Sequence, residues 1–497
     1  MKPSRWIALV VILAIAWIFR PVLHGPVMLI VSKPLVPVFT LICLLIFLRF
    51  FKRLKNQIFR NEPPAEGKQT NIHRNQTGCW SLGIFFFLAF VILPTLGALN
   101  GSIRSSVIAK SITYEPRTDL PQFQPIRLTP EAVATRYAED TFQNPQEYLG
   151  NSRIAMIDGK LQRVFPRLPD GALLYFLKKL SGFVVVDVDT LERKVTIDNQ
   201  EFVYSEGVGI FDNLYYRLPF VSYFSDYGEP VYLKDDQDEW VTVVPLIKYR
   251  GFPFTVPYWG GDIVIKSDGT MTAYTAEQAQ QLSYVKDNRV YPKELVEQYT
   301  HAYAYKNGLI NNWFVHKDQT SVTEYSPGED VFHVATTEGF KQMVVAEPSG
   351  RSYGIYKILI IDATTGKREI VEFDQSTQLT GPIVAADYVK KEFPTYDWSA
   401  FFLSEPRPVI VNDNLNWLFS IIPNDSAGIA ASVFLDAKTN EVTKTDSQSQ
   451  IDAFLAGQAV TSSDLTTPTT VTDQINEKIQ SIETELTKLK ELLKTIK

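Results

Sequence analysis

Three histidines lie beyond the first hundred residues, His301, His316 and His333, and imidazole is the side chain that most often binds metal or moves protons near neutral pH. None sits in an HExxH, HxH or HxxxH arrangement, so no helix presents a ligand pair on one face. His301 falls beside Tyr299 and Tyr303 in a helical pattern, and His333 in a strand-like Val-Phe-His-Val, so both read as satisfied or surface side chains. The two cysteines, Cys43 and Cys79, fall in or beside apolar stretches, which leaves the rest of the chain without a thiol nucleophile or a disulfide framework. A G-x-S-x-G elbow, a phosphate loop and an S-x-x-K motif with its partners are all missing. The run Asp235-Asp236-Gln237-Asp238-Glu239 would attract a cation, but it lacks the glycine and spacing of a calcium loop. It reads as a solvated hairpin turn. The expectation is a protein that is not an enzyme and carries no cofactor and no metal.

One stretch has the composition of a recognition element. Residues 249–261 combine five aromatics with two prolines and three glycines, and aromatic loops on rigid scaffolds commonly bind partners. Phe252, Phe254, Tyr258 and Trp259 are the binding candidates. The other reading of the same stretch is a buried segment between two strands.

Charge distribution indicates what must position these residues. Residues 1–100 hold 11 Lys/Arg and 2 Asp/Glu, leaving 38 and 53 of the chain's 49 and 55 for the remainder. A basic, apolar head on an acidic body suits a multi-pass cell-membrane protein with one large exposed region, and the lipid bilayer is its first partner. An acidic body argues against nucleic acid as partner. Spans are expected at about 6–19, 27–51 and 79–99, with Lys33-Pro34 interrupting the second. The loop between the second and third carries Arg49, Lys52, Arg53, Lys55, Arg60, Lys68 and Arg74 against Glu62 and Glu66, so it is placed in the cytoplasm with the N-terminus. The large C-terminal region is then extracytoplasmic. A cleaved signal peptide is disfavoured at residues 1–20, because Trp-Ile-Phe-Arg-Pro lacks the small residues of a cleavage site. Residues 101–127 are Pro-rich and non-periodic and read as a spacer.

A repeating plan follows. Thr129-Pro130-Glu131, Tyr291-Pro292-Lys293 and Gly381-Pro382 each open an apolar-periodic stretch, the first with proline expected at the first helical position and Thr129 before it as cap, and a weaker one occupies 209–218 and ends at Pro219. Helix starts therefore recur about every 80 to 90 residues, a spacing that suits small domains. Each helix precedes alternating β-branched and aromatic segments that end in a similar hairpin: Asp187-x-x-Thr190, Asp362-x-x-Thr365-Gly366 and Asp436-x-x-Thr439-Asn440, with a degenerate copy at Asp268-Gly269. Aspartate can bond back to the turn amides while Gly or Asn supplies the left-handed position. The expected units are 128–205, 206–290, 291–375 and 376–458.

The order of Pro-started helix, strands and an apolar strand ending Asp-Ala-x-Thr-Gly resembles the PepSY class of extracytoplasmic modules, most clearly at residues 358–371. The segment from Gly228-Glu-Pro to Trp240 and Pro245 is similar to the preceding hairpin of such a unit. The sequence departs from the pattern at Lys266 and Leu191, where Asp and Gly would stand. The resemblance implies a binding or regulatory module, often tied to peptidases, with no catalytic residues to carry over.

Residues 459–474 form a Thr/Ser-rich linker, and 475–497 then follow a strict heptad. Ile475, Ile482, Leu489 and Ile496 take d positions and Ile479, Leu486 and Leu493 take a positions. This register puts Lys478 opposite Glu483 and Glu485 opposite Lys490 on a neighbouring parallel chain, which favours a homo-oligomer; a helix docked on its own domain is the other reading. The expected fold class is α+β: N-terminal transmembrane helices, tandem helix-plus-antiparallel-sheet units and a C-terminal coiled coil. The expected role is an envelope binding or scaffold protein, with an envelope protein or peptidase as possible partner and non-catalytic regulation of a peptidase as the alternative.

Overall fold

The computed structural model describes residues 17–58, 93–326, 328–350, 354–374 and 379–458. Over these the chain is mixed α+β with antiparallel sheets. The heptad positions, the 459–474 linker, most of the 6–19 stretch and residues 79–92 of the third apolar stretch lie outside the described residues. Two compact units result, Met1–Gly381 and Pro382–Lys497.

Among the described residues, four sheets share one strand plan, each following a helix. After helix Glu131–Thr141, strand Lys160–Pro169 is central. Its far half pairs with Glu147–Leu149 and its near half with Arg153–Ile157, so two short strands share one edge. Its other edge pairs with Phe183–Asp187, which pairs with Val195–Asp198. Helix Leu214–Val221 and the central strand Trp240–Arg250 repeat the plan, as do Lys293–Tyr303 with Gly339–Pro348, and Pro382–Glu392 with Asn414–Pro423. The first three repeats belong to one unit and the fourth to the other.

The central strands of the first unit are buried along most of their length because both faces of the sheet are covered there, while edge strands such as Val195–Asp198 and Met271–Tyr274 are partly exposed. One continuous core runs through Phe183, Tyr232, Trp240, Tyr291, Val344 and Ile361. Phe183 gathers an aromatic cluster in it, with the rings of Phe202, Tyr232 and Trp240 centred 5.6, 4.8 and 4.6 Å away. Phe434 and Trp417 are fully buried in the second unit.

The helix starts carry corrections. Pro130 and Pro292 occupy the N-cap rather than the first helical position, and neither helix has a side-chain cap. Thr129 does not cap: its Oγ1 donates to the Thr190 carbonyl at 2.6 Å. Its N–H and that of Leu128 both donate to the Val188 carbonyl. Val290 and Tyr291 clamp onto Ala363 in the same way, and Val203 donates to Ser267. In the first and third repeats the residue after the hairpin aspartate, Val188 or Ala363, thus holds the entry to the helix of its own repeat, and both residues are completely buried. The weaker helix begins at Leu214, with the Asn213 side chain accepting from Tyr215 N, and runs through Pro219 to Val221 instead of ending there. Two turns tolerate the one backbone bond that proline removes.

The stretch read as a spacer is not a free tether. Helix Leu93–Ser111 extends well past residue 99 and buries Ser106, Ile108 and Ala109. Strand Glu115–Arg117 then joins the third repeat in parallel, Pro116 opposite Ile370. The open edge of Arg368–Glu372 accepts it, and an edge strand is where a proline is tolerated. Gln124 N donates to Ala335 O, and Arg117 forms ion pairs with Glu338 and Glu369 at 2.6 and 3.0 Å.

Residues 27–51 do not form one helix. Arg20–Ser32 and Leu35–Ile58 meet at Lys33-Pro34. Among the described residues no single helix is long and apolar enough to cross a membrane; Arg20–Ser32 with Leu35–Ile42, bent by 98°, would by length and composition make a broken span or a re-entrant loop.

Candidate functional site

The structure separates the four aromatic candidates. Residues 249–261 are the ends of two long paired strands, Trp240–Arg250 and Val256–Lys266, joined by a tight turn at 251–255. Phe252 is 81% exposed at the tip, Phe254 and Tyr258 are half-buried along the hairpin, and Trp259 is buried. Trp259 serves the core: its Nε1 donates to Asp262 Oδ1 at 3.0 Å. Asp262 is fully buried, and burial pushes its carboxyl up to about 8, with the Trp259 bond opposing the shift. The sequence stretch is therefore a hairpin with one exposed aromatic, not a four-residue aromatic surface.

The histidines find separate partners. His301 lies in the last turn of its helix with Nε2 2.6 Å from Asp330 Oδ2, and this hydrogen bond raises its imidazole above the ordinary value. His333 Nε2 lies 3.2 Å from the Arg289 guanidinium, and burial with that charge holds it well below. Among the described residues no group of three His, Cys, Asp or Glu side chains is arranged to hold a metal ion. Residues 235–239 form a turn, with Asp235 Oδ1 accepting from the amides of Gln237 and Glu239. That turn lines a 630 Å³ recess with Asp158, Lys234, Lys286 and Asp287. Lys234 is 2.9 Å from Asp238, so charge there is partly balanced from within.

The best-built polar cleft lies elsewhere, between the second and third repeats. It has a volume of about 290 Å³ and is lined by Tyr215, Tyr227, Gly228, Glu229, Lys293, Glu294 and Glu297. Glu229 receives Arg289 at 2.7 Å and Arg153 at 3.2 Å, both guanidiniums being buried. Burial opposes its charge, yet the two arginines win and hold the carboxyl below its ordinary value. Glu294 is the contrary case. Burial pushes it up, the Glu229 charge adds to this, and its Oε1 accepts from Glu229 N at 2.9 Å while Oε2 has no protein partner. Lys293 bridges to Glu329 at 2.6 Å and Glu297 at 3.5 Å. Two neighbouring carboxyls with opposite shifts in acidity, together with Lys293 and two phenols, can read the hydrogen bonds and charge of a polar ligand.

No motif announced this cleft. Its residues come from Gly228-Glu229-Pro230 and from Pro292-Lys293-Glu294, each noticed as a turn or a helix start, and the fold alone puts them together. Gly228 eases the packing there: a Cβ would stand 3.1 Å from Glu294 Oε2 and 3.3 Å from Pro245.

Comparison with known proteins gives no name. No family model matches the chain. No curated protein matches it at a significant level. Among solved structures, a protein of unknown function from Dyadobacter fermentans aligns over 62% of this chain and 85% of its own, at 12% identity and a TM-score of 0.21.

Proposed function

We propose that this is a membrane-anchored, extracytoplasmic binding or scaffold protein of the cell envelope, its copies joined through residues 475–497. One observation carries the reading. The helix Arg20–Ser32, within the apolar head, is docked on the repeats. Arg20 lies 4.6 Å over the Tyr223 ring. His24 donates to Ser225 O at 3.0 Å and stacks on Tyr227, 5.0 Å between centres. Thr255 Oγ1 donates to Ser32 O. Beyond the bend, Leu41, Leu44, Leu45 and Leu48 are exposed. Lipid is the covering that suits them, and their neighbour helix fixes the body against it. Tyr227 belongs both to this contact and to the polar cleft, so a ligand there would be read close to the membrane surface.

Mild crosslinking in native membranes, followed by mass spectrometry, tests the role. A binding or scaffold protein yields its own chain, linked near 475–497, with non-enzyme envelope components. A recurrent peptidase would replace this reading by regulation of that enzyme. Removal of 472–497 should turn an oligomer into a monomer by light scattering, and an unchanged mass would count against the coil.

A further inference from the structure

Several exposed aromatic residues of the first unit lie close to the apolar head. Rings link them to the apolar head: Phe220 lies edge-on to Trp17 at 6.3 Å, and Phe224 adjoins Tyr223, which Arg20 covers. Phe252 stands three residues before Thr255, which accepts from Arg104 Nε at 3.1 Å through its carbonyl and donates to Ser32. Tyr305 OH is 3.4 Å from Ser102 Oγ, and the chain beyond it reaches Ile310 and the π-helical turn Asn311–Val315, where Phe314 is 75% exposed. Ser102 and Arg104 are neighbours on helix Leu93–Ser111, one turn past Leu99. The hairpin tip and the π turn therefore flank the segment by which the third apolar stretch enters the body.

We infer that these residues form a membrane-seated face: Phe220, Phe224, Phe252, Ile310, Trp313 and Phe314 insert into the headgroup–acyl boundary of the outer leaflet. This rests on the membrane-anchored reading and adds that the body lies on the bilayer instead of standing off it. The occupant is lipid because Thr255, near the hairpin tip, bonds to Ser32 just before the uncovered apolar helix, and because cations accompany the patch: Arg20 covers Tyr223, and Arg250, Lys306 and Lys317 lie within four residues in sequence of Phe252, Ile310 and Phe314, as suits headgroup phosphates. Aromatic rings with flanking cations are the composition of interfacial belts. Such a face also fixes how high the polar cleft sits, through Tyr227.

The test uses the full-length chain, with Cys43→Ser and Cys79→Ser, reconstituted into vesicles of phosphatidylcholine and phosphatidylglycerol. Single cysteines at Phe224, Phe252 or Phe314, and at the exposed Glu338 outside the patch, carry a polarity-sensitive dye. All four side chains are exposed, so labelling leaves the core intact. Shallow spin-labelled lipid should quench the three patch sites roughly two-fold and shift them to the blue, leaving the Glu338 site unchanged. If the chain floats with the vesicles and the patch sites stay unquenched, anchoring stands and the seated face is overturned. If the chain does not float, both readings fall.

Discussion

The hairpins at Asp187 and Asp362 start from the same Asp-x-x-Thr spacing and end differently. At Asp362 four residues are enclosed between Asp362 N and Lys367 O, and Oδ1 collects the amides of Thr364 and Thr365 and the Thr365 hydroxyl. Gly366 closes the turn at φ 73°. At Asp187 the corresponding bond runs to Lys194 and encloses six residues, and Oδ1 is taken by Gln162 Nε2 at 2.7 Å. Leu191 stands where the left-handed glycine would, and the loop opens to avoid placing it there. The closing residue, not the aspartate, decides whether the turn is tight. The fourth repeat agrees: Asn440 takes φ 61°, and Asp436 Oδ1 accepts from Lys438 N and Thr439 N.

The contrast can be broken most strongly at Asp362 itself. Lys341 Nζ lies 2.7 Å from Asp362 Oδ2, and the lysine side chain is only 8% exposed. Asp362→Ala strands that cation as well as the turn donors, and should cost about 3–5 kcal/mol in urea unfolding of the full-length chain followed by tryptophan fluorescence. The matching change Asp187→Ala should cost clearly less, since Lys160 at 3.5 Å is 57% exposed.

Acidity sharpens the difference between buried aspartates. Burial opposes the Asp362 charge, but Lys341 and the Thr365 bonds hold its carboxyl below the ordinary value. Its stabilisation is therefore complete above the ordinary carboxylate value and is lost as pH falls through the lower folded one. Asp262 is the reverse: with its carboxyl pushed up to about 8, it favours the fold fully below about pH 4, and this support declines as pH rises toward 8. Asp262→Asn, which keeps an acceptor for Trp259, should raise stability at pH 7 by on the order of 2 kcal/mol and flatten the profile between those limits. A lower stability at pH 7 would reject this account.

Gly366→Ala meets two obstacles, the positive φ and a Tyr291 ring carbon 2.3 Å from the new Cβ. A loss of about 1–3 kcal/mol is expected by the same measurement. The smallest effect belongs to Leu191→Gly, within about 0.5 kcal/mol, because the opened loop does not use the freedom glycine adds.

Much of the architecture was legible in the chain. Three helix starts carry a proline, and the hairpin aspartates lie at ends of apolar runs, so the α+β plan follows from local chemistry. Pro219 reads as a stop in the weaker helix, whereas the Asn213 cap and the burial of Leu214 and Leu218 set its limits. Residues 115–117 were missed because three extended residues carry no period, and only the free edge of a strand some 250 positions away makes them a strand. The polar cleft was unreadable for the same reason. Glu229 and Glu294 are 65 positions apart and acquire opposite acidities only when two arginines reach one and burial claims the other. Alternation separates the aromatic candidates: along a strand, neighbours face opposite sides, so Tyr258 and Trp259 do not share a surface.

Strand Glu115–Arg117 also determines how the first unit would carry tension. The chain passes from helix Leu93–Ser111 into the edge of the third repeat before it enters the first. A pull between that helix and Gly381 is thus shared between three residues of parallel pairing with the Arg117 ion pairs and the contacts of the helix itself, where Arg104 holds Thr255 of the second repeat and Ile108 and Ala109 sit in the common core. The strand acts as a second tether, so peeling the helix from the core would not by itself free the third repeat.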